Sequence, residues 1–274
     1  MAYFNCFYAK RGSAIPDGAT VTPTDDIQTL LNCANIWNKS YTTLSELLAD
    51  TTTLSAVISS NNAIDYLVRS TTWATDMCAD STAMAYIGLN NYASNTLLAD
   101  LTWASAICNS TYFESVLNVK VPVMTDNTTP SGECFGTTYY VGNDYYKAFD
   151  ENNSDNWSSS VGNYTNQRCA YHFPTPVCVK MFRTKNNMPL NNTPFLWKNY
   201  KIQGSDDKFV SDVHDLYTGV QPQTSGYDTG NIIINNNTKY SDYGILCVDS
   251  YRTEAGHSYI SGLALLQFYG RADV

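Results

Sequence analysis

The side chains best placed to do chemistry gather in one stretch, Lys147-Ala-Phe-Asp-Glu-Asn-Asn-Ser-Asp-Asn-Trp157. Asp150, Asn153, Asp155 and Asn156 put carboxylate and amide oxygens close together. An Asx-rich turn of this kind closes on its own side-chain hydrogen bonds or offers its oxygens to something else. Catalysis has less to work with. His172 alternates within a strand pattern, His214 sits in a polar loop, and His257 lies in a third segment. No HExxH, GxSxG or P-loop pattern occurs. Paired carboxylates cleave glycosides when two of them face each other, and spacing alone does not establish that. A binding protein is expected, not an enzyme.

The turn needs a scaffold, and the residues around it supply one. From Val119 onward apolar residues recur with period two between turn signals. Arg168–Phe173 and Val177–Phe182 flank Pro174-Thr-Pro176. Trp197–Gln203 alternates before the turn Gly204-Ser-Asp-Asp207, and Ile232–Ile234, Tyr243–Val248 and Leu263–Tyr269 are further strands. Short strands with polar turns and no helical stretch predict an antiparallel β-sandwich over 119–274.

Residues 29–118 follow another rule. They divide into units of about ten, each opening on Ser, Thr, Asn or Asp, as in Ala49-Asp-Thr-Thr-Thr-Leu-Ser-Ala-Val-Ile58. Thr72-Trp-Ala-Thr-Asp-Met-Cys78 and Thr102-Trp-Ala-Ser-Ala-Ile-Cys108 match at an offset of thirty. The opening side chains suit helix N-caps, and the apolar residues three or four apart suit one helix face. Stacked short helices are expected, because helices this short need neighbours. The rival is one long helix or a trimeric coiled coil, but a ten-residue period does not fit a heptad. Trp73 and Trp103 are expected in the core. The fold class is therefore α+β and multidomain: a turn-rich segment over 1–28, helical repeats over 29–118, then the sandwich.

Charged residues make up only 15% of the chain and the net charge is −9. With no Lys/Arg run, nucleic acid is not an expected partner. No run of about 18 apolar residues exists, so no membrane insertion is expected. The eight cysteines match no metal-binding spacing and are expected reduced and buried. Met1-Ala-Tyr-Phe-Asn-Cys-Phe-Tyr8 lacks a basic start followed by an apolar run, so no secretory leader is expected. Phe4, Phe7 and Tyr8 either fold back on the repeats or dock on a partner.

Taken in order, six segments resemble the discoidin, or coagulation-factor C-type, family, also called galactose-binding-like. They are Met124–Gly132, Lys147–Asp150 through Trp157–Ser159, Tyr171–Pro174, Tyr200–Asp206, Tyr243–Leu246 and Gln267–Gly270. The resemblance covers roughly 120–274. It implies an eight-stranded jelly-roll whose loops at one end bind sugars, and in some members lipid head groups or protein. It also implies a structural calcium ion beside the Asp/Asn turn, with Asp150, Asn153, Asp155 and Asn156 as oxygen donors. The family's carboxylate from the last strand falls here on Leu265, which cannot ligate. No other cofactor is implied. Sugar rings suit an aromatic platform beside polar groups, so Tyr145, Tyr146, Tyr164, Arg252 and His257 become the candidate ligand contacts. Trp157 is expected in the core.

A neutral polar surface, a repeat, a terminal binding module and no leader together suggest a virion structural protein made in the host cytoplasm. A phage tail or head fibre is the expected form, a homo-oligomer with a trimer favoured. Its N-terminus would contact other virion proteins and its sandwich a host-surface glycan or protein. Two alternatives stand beside it: a bacterial cell-surface carbohydrate-binding protein, and a purely architectural capsid or tail protein.

Overall fold

The computed structural model describes residues 26–252 and 259–273. Most of the 1–28 segment, with its docking residues Phe4, Phe7 and Tyr8, lies outside them. The chain divides between Asn118 and Val119 into two compact units.

The first unit holds eight short α-helices among the described residues: α1 (Ile27–Cys33), α2 (Leu44–Ala49), α3 (Thr51–Ile58), α4 (Asn61–Leu67), α5 (Ala74–Ala79), α6 (Ser81–Leu89), α7 (Asn91–Ala99) and α8 (Leu101–Asn109). Their breaks follow the decad because N-caps recur near the start of its units. Asp50, Ser60, Asp80, Asn90 and Asp100 each accept from a backbone N–H in the first turn that follows. Such caps satisfy donors that a helix start leaves open. In α3, α6, α7 and α8 the buried residues sit at the same four places, for example Trp103, Ala104, Ile107 and Cys108 in α8.

Helices three apart pack on each other in four pairs: α1 on α4, α4 on α7, α3 on α6, and α5 on α8. Three decads thus make one turn of a solenoid, which explains the thirty-residue offset between Trp73 and Trp103. Both tryptophans are buried, and the Trp103 indole donates to Leu67 O at 3.0 Å. The cap residues also bridge turns. Ser60 donates to Cys33 O (3.2 Å), Asn90 to Ile58 O (2.9 Å) and Ser110 to Cys78 O. These carbonyls lie at helix C-termini, where intrahelical donors run out.

The second unit is an antiparallel β-sandwich of β1 (Val119–Lys120), β2 (Glu133–Gly136), β3 (Gln167–Asn186), β4 (Asn199–Ser205), β5 (His214–Val220), β6 (Ile232–Ile233), β7 (Tyr240–Cys247) and β8 (Leu263–Arg271). One sheet runs β2-β3-β7-β4-β5, and the other joins β1, β8, β3 and β6. Strand β3 serves both. Its register shifts between His172 and Val177, and Pro174 and Pro176 lie exposed at that corner. Missing ladder donors cost nothing there. Trp157, Trp197, Tyr171, Tyr243, Phe182 and Phe268 fill the space between the sheets. The seven described cysteines are buried.

Candidate functional site

Three loop segments meet at one end of the sandwich, and hydroxyl and amide side chains hold them there. Tyr140 N donates to Ser158 O (2.8 Å), Ser159 N to Ile260 O (2.8 Å), and the Ser158 and Ser261 hydroxyls lie 2.6 Å apart. The Trp157 indole donates to Thr138 O at 3.2 Å from a fully buried position. The segment after Pro194 runs between the arms of the last loop: Ser261 N donates to Phe195 O and Tyr251 N to Leu196 O.

This arrangement builds an aromatic platform. The Phe195 and Tyr259 rings stack at 4.5 Å with an interplanar angle of 12°. The Arg252 guanidinium lies 5.1 Å from the centre of the Phe195 ring. Next to it, the Lys198 ammonium is 5.7 Å from the Tyr251 ring. Phe195, Tyr251, Arg252 and Tyr259 are all partly open to solvent. Stacked rings present an apolar face, and a guanidinium beside them presents several N–H donors.

The candidates from sequence fall in different places. Arg252 is part of the platform. His257 lies outside the described residues. Tyr145 is half-buried and meets Tyr139 edge-on at 5.2 Å, and burial pushes its phenol up to about 12. Tyr146 packs partly on the core, and its backbone N–H donates to Asn127 Oδ1 (3.1 Å). Tyr164 is partly exposed on the 160–166 loop. Tyr139 and Tyr140 present more surface than Tyr145 or Tyr146. Phe195 and Tyr259 carry no local signal of their own, because each gains its role from a partner far away in sequence.

The Asp150 turn is a separate cluster. Asn152 N donates to Asp150 Oδ1 (2.9 Å), and Glu151 holds a left-handed φ of 55°, unusual for a residue with a Cβ. Burial, with the nearby Asp155 charge, raises the Asp150 carboxyl to about 6. Lys147 forms an ion pair with Asp155 Oδ2, and that contact raises the Lys147 ammonium. Asn153 is exposed at the tip. Asn156 is committed to loop closure, where its Oδ1 accepts from Ser158 Oγ (2.7 Å) and Gly262 N (3.2 Å). The last-strand side chain that reaches the turn is Gln267, two residues beyond Leu265. Its Nε2 donates to Glu151 Oε1 at 2.8 Å.

The calcium that the resemblance implies fits this donor set. Gln267 is 1% exposed and its Oε1 is buried without a hydrogen bond. Asp155 Oδ1 is in the same condition. So is Asn187 Oδ1, whose amide nitrogen donates to Asp155 O at 2.8 Å. Buried oxygens left unpaired are costly and call for a partner. Among the described residues no three His, Cys, Asp or Glu side chains converge. A cation here would therefore combine carboxylates with amide and main-chain oxygens, which suits calcium and not zinc.

No protein-family model matches the chain, and no curated protein matches its sequence. Among solved structures, the family 32 carbohydrate-binding module of C. perfringens NanJ, in complex with galactose, is similar at 10% identity. That likeness covers 55% of this chain and 99% of that one, with a TM-score of 0.42. CBM62 from Clostridium thermocellum Xyl5A is similar at 19% identity over 53% of this chain and 97% of that one (TM-score 0.41). Chitosan-binding module 1 from a Paenibacillus sp. IK-5 chitosanase/glucanase is similar at 18% identity over 53% and 96% (TM-score 0.39).

Proposed function

We propose that the sandwich is a carbohydrate-recognition module and that the Phe195–Tyr259 stack with Arg252 is its contact surface. The observation behind this reading is that stack, held at the loop end with a guanidinium beside it. A pyranose ring offers an apolar C–H face to an aromatic ring and a fringe of hydroxyls to N–H donors. A few fixed polar groups beside an apolar surface are what small-ligand sites use for orientation. The reading is one of binding without bond cleavage.

A glycan array probed with the full chain tests this. The expected result is selective binding that weakens about tenfold or more in Tyr259→Ala, a loss of about 1.4 kcal/mol. The unfolding midpoint should stay unchanged. Silence across the array, or binding indifferent to Tyr259→Ala and Arg252→Ala, overturns the reading. Mass spectrometry of the glycans after incubation checks for cleavage, and a shortened product would make the protein an enzyme. The proposed setting is a virion appendage, with the short-helix unit as the mount and several copies raising avidity. Finding the chain in purified particles tests that part separately.

A further inference from the structure

The Asp150 turn contains a positive charge of its own, in the place where a divalent ion would act. Lys147 precedes the turn on the 3-10 helix Tyr145–Ala148, and Asp155 closes it. Their side chains are 17% and 28% exposed, so water screens the pair only partly. Asp150 faces Asp155 electrostatically. With Asp150 and Asp155 ionised and Lys147 in place, these three groups carry one net negative charge (−2 + 1). Calcium added without displacing Lys147 would take the sum to +1, with a monovalent and a divalent cation at the same carboxylate. Repulsion at contact range in a half-buried site is large. Meanwhile Gln267 Oε1 and Asp155 Oδ1 stay buried and unpaired around the turn. The ammonium neutralises one carboxylate but leaves these oxygens unsatisfied.

We propose that Lys147 is an internal counter-cation which competes with a divalent ion for Asp155. The chain's own ammonium holds the turn closed without metal, and calcium has to displace it to reach the carboxylate. Gln267 supplies the amide oxygen that waits for the ion. Calcium binding is therefore weaker than the oxygen set alone would give, and folding does not depend on it.

The test uses the full chain stripped with chelator, titrated with calcium chloride in a calorimeter and melted with and without calcium. Wild type is expected to unfold at nearly the same temperature in chelator and in calcium. Lys147→Met is expected to bind calcium about tenfold or more tightly than wild type. It should unfold earlier than wild type in chelator and recover in calcium. Lys147→Gln, which keeps a donor for Asp155 without the charge, should shift in the same direction if Lys147→Met does not fold. Equal calcium affinity in wild type and both variants overturns the competition. A failure of every variant to gain stability from calcium overturns the cation site itself.

Discussion

Asn90 does two jobs, and separating them tests how the solenoid is held. Its Oδ1 caps α7 by accepting from Ala93 N at 3.0 Å, and its Nδ2 donates to Ile58 O at 2.9 Å in the preceding turn. Asn90→Ala removes both. Losing the cap costs about 1 kcal/mol. Losing the inter-turn bond costs about 1 kcal/mol more, with an added penalty if the Ile58 carbonyl stays shielded from water. About 2–3 kcal/mol in total is expected. Asn90→Ser is the informative control. Ser60 caps α4 thirty residues earlier and reaches Cys33 O at 3.2 Å, so a serine hydroxyl is able to do both jobs at this kind of position. Asn90→Ser should therefore cost less than about 1 kcal/mol. Urea denaturation followed by far-UV circular dichroism in the helical band reads both values. If the two variants are equally stable, the cap and the bridge together contribute nothing that a serine can keep, and the account of the stack is wrong.

Gly88 in α6 gives a prediction of unusual sign. Alanine raises helix propensity by about 1 kcal/mol, but a Cβ there would sit 1.8 Å from Ser115 O. Gly88→Ala should destabilise by about 2 kcal/mol or more in the same denaturation assay, and any gain in stability refutes the close approach. Asp207 gathers the 207–212 turn by accepting from Val210 N, Ser211 N and Asp212 N, beside Lys208 and Phe209 at left-handed φ of 56° and 64°. The Ser211 hydroxyl bond leads in lowering its carboxyl below the ordinary range. A depressed carboxyl adds stability above its unfolded pKa of about 3.9 and loses it as pH falls further. The stability gap between wild type and Asp207→Asn should therefore be full at neutral pH and narrow below about pH 4; a gap independent of pH speaks against the carboxylate.

Features written in nearby residues were legible, and features built by distant partners were not. The short-helix stack and the antiparallel sandwich follow from caps every ten residues and from alternation after Val119. The inter-turn partners of Ser60, Asn90 and Ser110 did not, because a cap residue looks the same whether or not its second valence is used. Strand β5 carries no clean alternation, being the outermost strand and open along much of its length. Pro174 and Pro176 suggested a gap between two strands, where a single strand turns a corner between sheets. Arg252 stood out as a cation on a predicted loop. Phe195 followed a proline in an Asn-rich stretch and gave no sign of its stack with Tyr259. Gln267 looked like one more residue of the last strand, and only its buried, unpaired oxygen marks it.

The polar composition has a different cause from the one its appearance suggests. Few charges and many Asn, Ser and Thr read as the skin of an exposed protein. Part of that polarity is internal. Asn186 is fully buried, donates to Thr224 O and accepts from Gly226 N. Asn236 donates to Val179 O and Thr238 O. Ser158, Ser159 and Ser261 tie the loop end together from buried positions. Each replaces a backbone partner that a loop-rich sandwich cannot supply from its ladders. The platform at Phe195 and Tyr259 rests on that network, so its side chains are placed before a ligand arrives, and preorganisation lowers the ordering cost of binding. These buried serines are what tie the described parts of the loops to one another. If the platform binds glycan as proposed, cutting the Ser158–Ser261 link should weaken that binding in the array without any contact to the glycan.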